Sequence, residues 1–217
     1  MIIAIDGPAG SGKSTISKLV AKDLDLIYLD TGAMYRLVTL KALEMGILDG
    51  NLEDLDKINE LLDNLEIDIR EDGFFLDGVD VSEEIRKPIV SENVSKIAAI
   101  KEVRIKMVDL QRKFSKAKNV ILDGRDIGTV VFPNADLKVF LVADARERAN
   151  RRYKELTEKG ENVSLEEIYQ NILMRDKIDS TREEAPLKKA EDAIEVDTTS
   201  KSIDEVKEEI LNLYKNL

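Results

Sequence analysis

The sequence predicts an α/β fold, an open parallel sheet flanked by helices, with two excursions from it. Three observations carry that reading. Five short apolar runs, Met1–Ile5, Leu26–Leu29, Val120–Leu122, Leu137–Ala143 and Ala193–Val196, have the length of strands. Four of them lack polar alternation, as parallel strands covered on both faces do. Helical patterns follow or separate them, and strand–helix alternation of this kind builds a parallel sheet through right-handed crossovers.

Along the chain, Met1–Ile5 is the first strand, Lys13–Leu24 a helix and Leu26–Leu29 the second strand. Residues 47–86 then break the rhythm. Leu52, Leu55, Ile58 and Leu62 recur at helical spacing, and Ile67 and Ile69 alternate with charges over Glu66–Arg70. Asp72-Gly73 and Asp77-Gly78 supply turns between short strands ending at Val79–Val81, so this stretch reads as a small antiparallel sheet. One long helix, Ser91–Phe114, returns the chain to the third strand, Val120–Leu122, expected beside the first. After Leu137–Ala143, residues 146–186 form a helical, strongly charged excursion around Lys159-Gly160, ending at Ala185-Pro186. This is the expected moving part. The last strand precedes Ser202–Tyr214, a helix that Ser202 and Glu205 open as a capping box. Both excursions belong to one domain, whose core is about residues 1–46, 87–145 and 187–217.

Composition removes whole classes of chemistry. The 217 residues include no Cys, which excludes disulfide scaffolds and thiolate nucleophiles. They include no His, which excludes His-dependent triads and His-ligated zinc. With 33 basic against 44 acidic residues the net charge is −11, contrary to a protein that coats nucleic acid or an anionic membrane. The longest purely apolar run is five residues, far from the ~20 that span a bilayer. Met1–Ile5 is too short for a secretory signal. The expectation is a cytoplasmic protein and, with no exposed apolar stripe in the pattern, a monomer.

Gly7-Pro8-Ala9-Gly10-Ser11-Gly12-Lys13-Ser14-Thr15 fits G-x-x-x-x-G-K-[ST] between a strand and a helix. Such a loop turns backbone N–H groups onto phosphate oxygens at a helix N-terminus. Lys13 can reach the β- and γ-phosphates of ATP and Ser14 can ligate Mg²⁺. Asp123, ending the third strand, is the candidate second Mg²⁺-orienting residue, against the plainer reading of a turn or cap.

A nucleoside triphosphate site serves switches, motors and kinases alike. No N-K-x-D segment of a guanine switch is present. Arg36 lies one turn past Asp30-Thr31-Gly32, and Gly124-Arg125-Asp126 follows the third strand on the carboxyl edge where open α/β folds bind ligands. Arg175, Asp179 and Arg182 come in the second excursion. Arginine forks match phosphates, and a net-acidic chain needs them to hold two nucleotides together. For Arg146, Arg148, Arg151 and Arg152, surface pairing with Glu147 and Glu155 is the competing reading. The absence of His favours an acceptor that is itself a phosphate, largely ionised at neutral pH, without excluding an Asp-assisted hydroxyl.

The segments IDGPAGSGKST, LDTGAMYR, DVSEEIR, LDGRDIGTVVFP, RANRR and RDKIDSTREEAPL, in this order and spacing, resemble the bacterial cytidylate (CMP) kinases almost end to end. The resemblance implies a P-loop kinase with a five-stranded parallel core, an acceptor-binding insert at about 47–86 and a mobile lid at about 146–186. It implies transfer from ATP to CMP or dCMP with Mg²⁺. Positions 31 and 179 (Thr31, Asp179) align with residues that hold the pentose, and Arg36, Arg125 and Arg182 with those that hold the acceptor phosphate. Ser95, Arg104 and Asp126 align with the readers of cytosine, and Arg175 with the lid arginine that stabilises transferring charge. Thr31 is Ser in some members, and Lys177-Ile178 stands where others carry further charge. A carboxylate accepting from the cytosine amino group, with an arginine donating to its acceptors, is complementary where uracil is not. The alternatives are a P-loop kinase for UMP, dTMP or a hydroxyl metabolite, and a nucleotide-dependent switch that transfers nothing.

Overall fold

The computed structural model describes residues 1–49, 54–70, 73–116 and 118–217. The elements in chain order are β1 (Ile2–Asp6), α1 (Lys13–Asp23), β2 (Ile27–Asp30), α2 (Thr31–Glu44), α3 (Leu55–Asp63), β3 (Ile67–Arg70), β4 (Gly73–Leu76), β5 (Val79–Asp80), α4 (Pro88–Ile97), α5 (Lys101–Ser115), β6 (Val120–Gly124), β7 (Leu137–Val142), α6 (Ala145–Glu158), α7 (Leu165–Thr181), β8 (Ile194–Asp197) and α8 (Ile203–Lys215). The chain forms two compact units, Met1–Asp30 with Phe114–Leu217, and Thr31–Lys113.

The first unit holds a five-stranded parallel sheet in the order β2-β6-β1-β7-β8. As its sequence predicts, β6 lies beside β1, with Ile5 opposite Asp123. Ile3, Ala4 and Ile5 are fully buried, as are Ile121 and Leu122, because central parallel strands have both faces covered. On one face, Ile3, Ile5, Ile121, Val139 and Val196 pack against Ile16 and Val20 of α1 and Val206 and Ile210 of α8. The edge strands are less protected, and Ile27 and Ile194 are exposed. The capping box is present: Ser202 and Glu205 each take the other's backbone N–H. Helices α6 and α7 are joined by a turn at Gly160, in the left-handed region at φ +80°. No helix among the described residues is long and apolar enough to cross a membrane.

The second unit packs α2 against a three-stranded antiparallel sheet, β3-β4-β5, through Ala33, Leu37, Leu76, Val81 and Ile85. Asp77-Gly78 makes its hairpin with φ of +51° and +81°, the pattern of a type I′ turn. Leu52 and Asp72 lie outside the described residues. Within α3 the buried face is Ile58, Leu61 and Leu62, whereas Leu55 is exposed. The single long helix expected over Ser91–Phe114 is two helices, α4 and α5. Residues 98–100 tighten into short turns, and the Arg104 guanidinium takes the Ala98 carbonyl at 3.0 Å, an alternative to continuing the helical ladder.

Candidate active site

The phosphate loop leaves the centre of the sheet at the end of β1. Position 7 must be glycine: φ is +151°, and a Cβ would stand 2.2 Å from the Leu141 carbonyl oxygen. Helix α1 begins after Gly12 with no capping side chain and no acidic residue in its first turn, so its N-terminal dipole is available to an anion. Lys13 folds back over the loop, donating to the Pro8 carbonyl at 2.6 Å and the Ser11 hydroxyl at 3.3 Å. Burial, and then the Arg125 guanidinium, pull its pKa well below the ordinary lysine value, against the carboxylates of Asp123, Asp6 and Asp179. A bound triphosphate adds the negative charge that favours the ammonium form.

Beside the loop, Ser14 Oγ donates to Asp123 Oδ2 at 2.8 Å, and the Tyr28 hydroxyl donates to Asp123 Oδ1 at 2.7 Å. Burial and the neighbouring Asp30 push the Asp123 carboxyl up to about 6, while Lys13 and the two hydroxyl donors oppose that rise. A hydroxyl and a carboxylate as hard oxygen donors suit Mg²⁺, which keeps most of its waters. The residues therefore fit that ion.

A second group lies in the same unit. Arg125 Nε meets Asp179 Oδ2 at 2.9 Å, and Arg182 stands 3.7 Å from Asp179 Oδ1 and 3.9 Å from Asp126 Oδ1. Arg182 Nε and Nη2 both donate to the Ala185 carbonyl, so its fork is fixed in place. Although burial works the other way, Arg125, Arg175 and Arg182 hold the Asp179 carboxyl below its ordinary value. Guanidinium groups gathered in this way are the donors that an anionic phosphate requires. Thus β6, the loop after it and α7 bring Arg125, Asp126, Arg175, Asp179 and Arg182 together.

In the second unit, Thr31 is the buried first residue of α2. Arg36, one turn on, donates to Ser91 Oγ at 3.0 Å and to the Ile85 carbonyl at 3.3 Å. Ser95 is buried on α4, and the Arg104 guanidinium lies over the Tyr35 ring at 5.3 Å.

Two further residues escaped the sequence reading. Tyr28 interrupts an apolar strand, and that hydroxyl in a buried run was the available signal. Asp6 ends β1 just before the loop; its carboxylate accepts from the Ile127 and Gly128 N–H groups at 2.8 and 2.7 Å. Burial pushes it up to about 7 against those two hydrogen bonds. Of the four arginines of α6, Arg151 and Arg152 do pair with Glu147 and Glu155, and Arg146 pairs with Glu166. Arg148 instead is 4 % exposed and turns inward, which no local pairing rule reveals.

A phosphate loop on a parallel sheet of this strand order, with arginines gathered about a buried carboxylate in the same unit, defines a P-loop phosphotransferase. A solved shikimate kinase from Bacteroides thetaiotaomicron shares the fold, with a TM-score of 0.51 at 11 % identity over 99 % of this chain and 98 % of that one. The cytidylate kinase family model matches residues 3–216. The cytidylate kinase of Fusobacterium nucleatum is 57 % identical over 95 % of this chain and 93 % of its own, and that of Clostridioides difficile 56 % over 98 % and 97 %. The chain belongs to the cytidylate kinase family.

Proposed function

We propose that the protein transfers the γ-phosphoryl group of ATP to CMP or dCMP, giving ADP and CDP or dCDP. The observation that carries this reading is the set Arg125, Arg175 and Arg182 gathered about the buried Asp179, with Asp126 beside Arg182, in the unit that bears the phosphate loop. An acceptor oxygen of the CMP phosphate forms the new bond to the γ-phosphorus as the bond to the β,γ-bridging oxygen breaks. That acceptor is already largely ionised, so alignment and charge neutralisation suffice without a histidine.

In this reading the loop Gly7–Thr15 holds the ATP phosphates, and Lys13 follows the charge that moves to the leaving ADP. Ser14 and Asp123 would hold Mg²⁺, which would supply charge neutralisation to the ATP phosphates. Arg36, Arg125 and Arg182 bind the acceptor phosphate, and Thr31 and Asp179 the pentose. Ser95, Arg104 and Asp126 read cytosine: a carboxylate accepts from its amino group and a guanidinium donates to its ring acceptors. Arg175, on α7, stabilises the transferring group when the 146–186 segment closes as a lid, and residues 47–86 form the acceptor-binding insert. We assign the enzyme to the cytoplasm and to a monomer, the latter checked by light scattering.

The deciding experiment is ADP release from Mg-ATP across a panel of CMP, dCMP, UMP, AMP, GMP and dTMP. CMP and dCMP are expected to dominate. Turnover led by UMP or dTMP would move the assignment to another acceptor. ATP binding without acceptor-stimulated turnover would make the chain a nucleotide-dependent switch.

A further inference from the structure

Arg148 is the least expected buried charge in the molecule. Its side chain, 5 % exposed, serves three elements at once. Nε donates to the Ala143 carbonyl at 3.0 Å, where β7 has just ended, and Nη1 to the Ala9 carbonyl of the phosphate loop at 2.9 Å. Nη2 meets Asp176 Oδ2 on α7 at 2.6 Å. Three turns of chemistry follow from one rigid, planar fork, which a lysine ammonium on a flexible stem does not reproduce.

The loop's outward carbonyls are the reason such a fork matters. A peptide unit is planar, with its C=O and N–H on opposite sides. Holding the Ala9 carbonyl outward therefore holds the Gly10 N–H turned the other way, into the cradle. The next-but-one peptide is held in the same manner. The Thr198 hydroxyl, 3 % exposed as a residue, donates to the Ser11 carbonyl at 3.3 Å, which orients the Gly12 N–H. Thr198 is in turn gripped by Arg151, one turn after Arg148, through Nη1 to its hydroxyl at 3.2 Å and Nη2 to its carbonyl at 2.6 Å. Helix α6 also packs directly on the loop: a Cβ at Gly10, where φ is +77°, would lie 3.2 Å from Arg148 Cβ.

We propose that α6 is the brace of the phosphate loop, with Arg148 and, through Thr198, Arg151 as positioning residues that keep the Gly10 and Gly12 N–H groups aimed at ATP. Asp176 holds the Arg148 fork to its angle. The inference rests on the reading of Gly7–Thr15 as the ATP cradle.

The test is the equilibrium dissociation constant of Mg-ATP without CMP, beside the KM for CMP at saturating ATP, in Arg148→Lys, Asp176→Asn and Thr198→Val. Arg148→Lys keeps the charge and removes the fork, so a purely electrostatic role would leave ATP binding intact. The brace predicts an ATP dissociation constant raised about tenfold, as expected when buried acceptors lose their donor. The KM for CMP should stay within about twofold in the same variant, since the bond lost to a nucleotide site is the one to Ala9 of the ATP cradle, and Ala143 and Asp176 are not among the residues placed on CMP. Combining Arg148→Lys with Asp176→Asn should add little, because both act through one interaction. Equal losses toward ATP and CMP, or unchanged ATP binding, would overturn the proposal. Should Arg148→Lys fail to fold by circular dichroism, Thr198→Val decides: its ATP binding must weaken with CMP unaffected, and wild-type affinity there refutes the brace. A wild-type chain without saturable Mg-ATP binding would instead remove the cradle reading itself.

Discussion

Ser14 and Asp123 are 109 positions apart, and the Ser14 hydroxyl donates to the Asp123 carboxylate at 2.8 Å. The parallel pairing of β1 with β6 makes this meeting possible, because Ile5 stands opposite Asp123 and the loop after β1 then turns α1 back past the end of β6. The Tyr28 hydroxyl closes the other carboxylate oxygen. One side chain from the phosphate loop and one from a neighbouring strand end therefore share a hydrogen bond that a bound cation can replace.

Lys13→Ala should lower kcat by at least about 10²-fold with the fold intact, as loss of a preorganised charge at the reacting phosphates does. Lys13 is buried and already bonded to its own loop, so the thermal midpoint should be measured beside turnover. Near-normal kcat in a folded variant would remove this loop as the catalytic cradle.

Arg175→Ala tests the arginine of α7. Its charge acts on Asp179 together with Arg125 and Arg182. The expected outcome is a parallel fall in kcat and kcat/KM, with CMP affinity little changed, the pattern of an interaction made in the transition state. A rise in KM for CMP at constant kcat would make Arg175 a ground-state binding residue.

Asp126→Asn addresses base selection. An amide still accepts through its oxygen but also donates, so UMP should suffer less than CMP. The ratio of kcat/KM for CMP over UMP should fall by ~10-fold or more, about 1.4 kcal/mol of differential binding. Arg182 lies 3.9 Å from Asp126, which supplies the competing structural role. A general loss of activity with the ratio preserved would show that Asp126 only holds that arginine.

Asp6 gives a pH dependence with a definite sign. Burial raises its carboxyl from 3.8 to about 7. The folded chain therefore retains a proton that the unfolded chain has lost. Stability from this group is full below the unfolded value and is lost as pH rises through about 7. The urea midpoint of the wild type should thus drop more from about pH 5 to about pH 8 than that of Asp6→Asn, which stays neutral throughout. Parallel profiles for the two proteins would contradict the assignment.

All five main-sheet strands were legible within one or two residues, because short apolar runs mark the strands of a parallel sheet, unbroken at Met1–Ile5, Leu26–Leu29 and Val120–Leu122. The phosphate loop was legible because its chemistry is local. What was lost is non-local or subtle. Arg148 sits beside Glu147 in the sequence, yet its partners are Ala9, 139 positions back, and Asp176 on the next helix. The break between α4 and α5 carries no proline or glycine; it coincides with a side chain taking a backbone carbonyl, which periodicity does not register. Asp6 stands between the first apolar run and the phosphate loop, and only the fold reveals the two N–H groups that its carboxylate holds.

The strand order has a consequence for how the chain is made. β1 is made before both of its neighbours in the sheet, which start only at Val120 and Leu137. The neighbour of β2 is likewise β6, beyond the entire Thr31–Lys113 unit. Until Val120–Gly124 has been made, β1 thus has neither of its sheet neighbours, and long-range parallel pairing is slow to form. The added loop length itself is a small thermodynamic burden, since each doubling costs only about 0.6 kcal/mol. The delay is kinetic, and it leaves the apolar strands β1 and β2 both unpaired while the intervening residues are made.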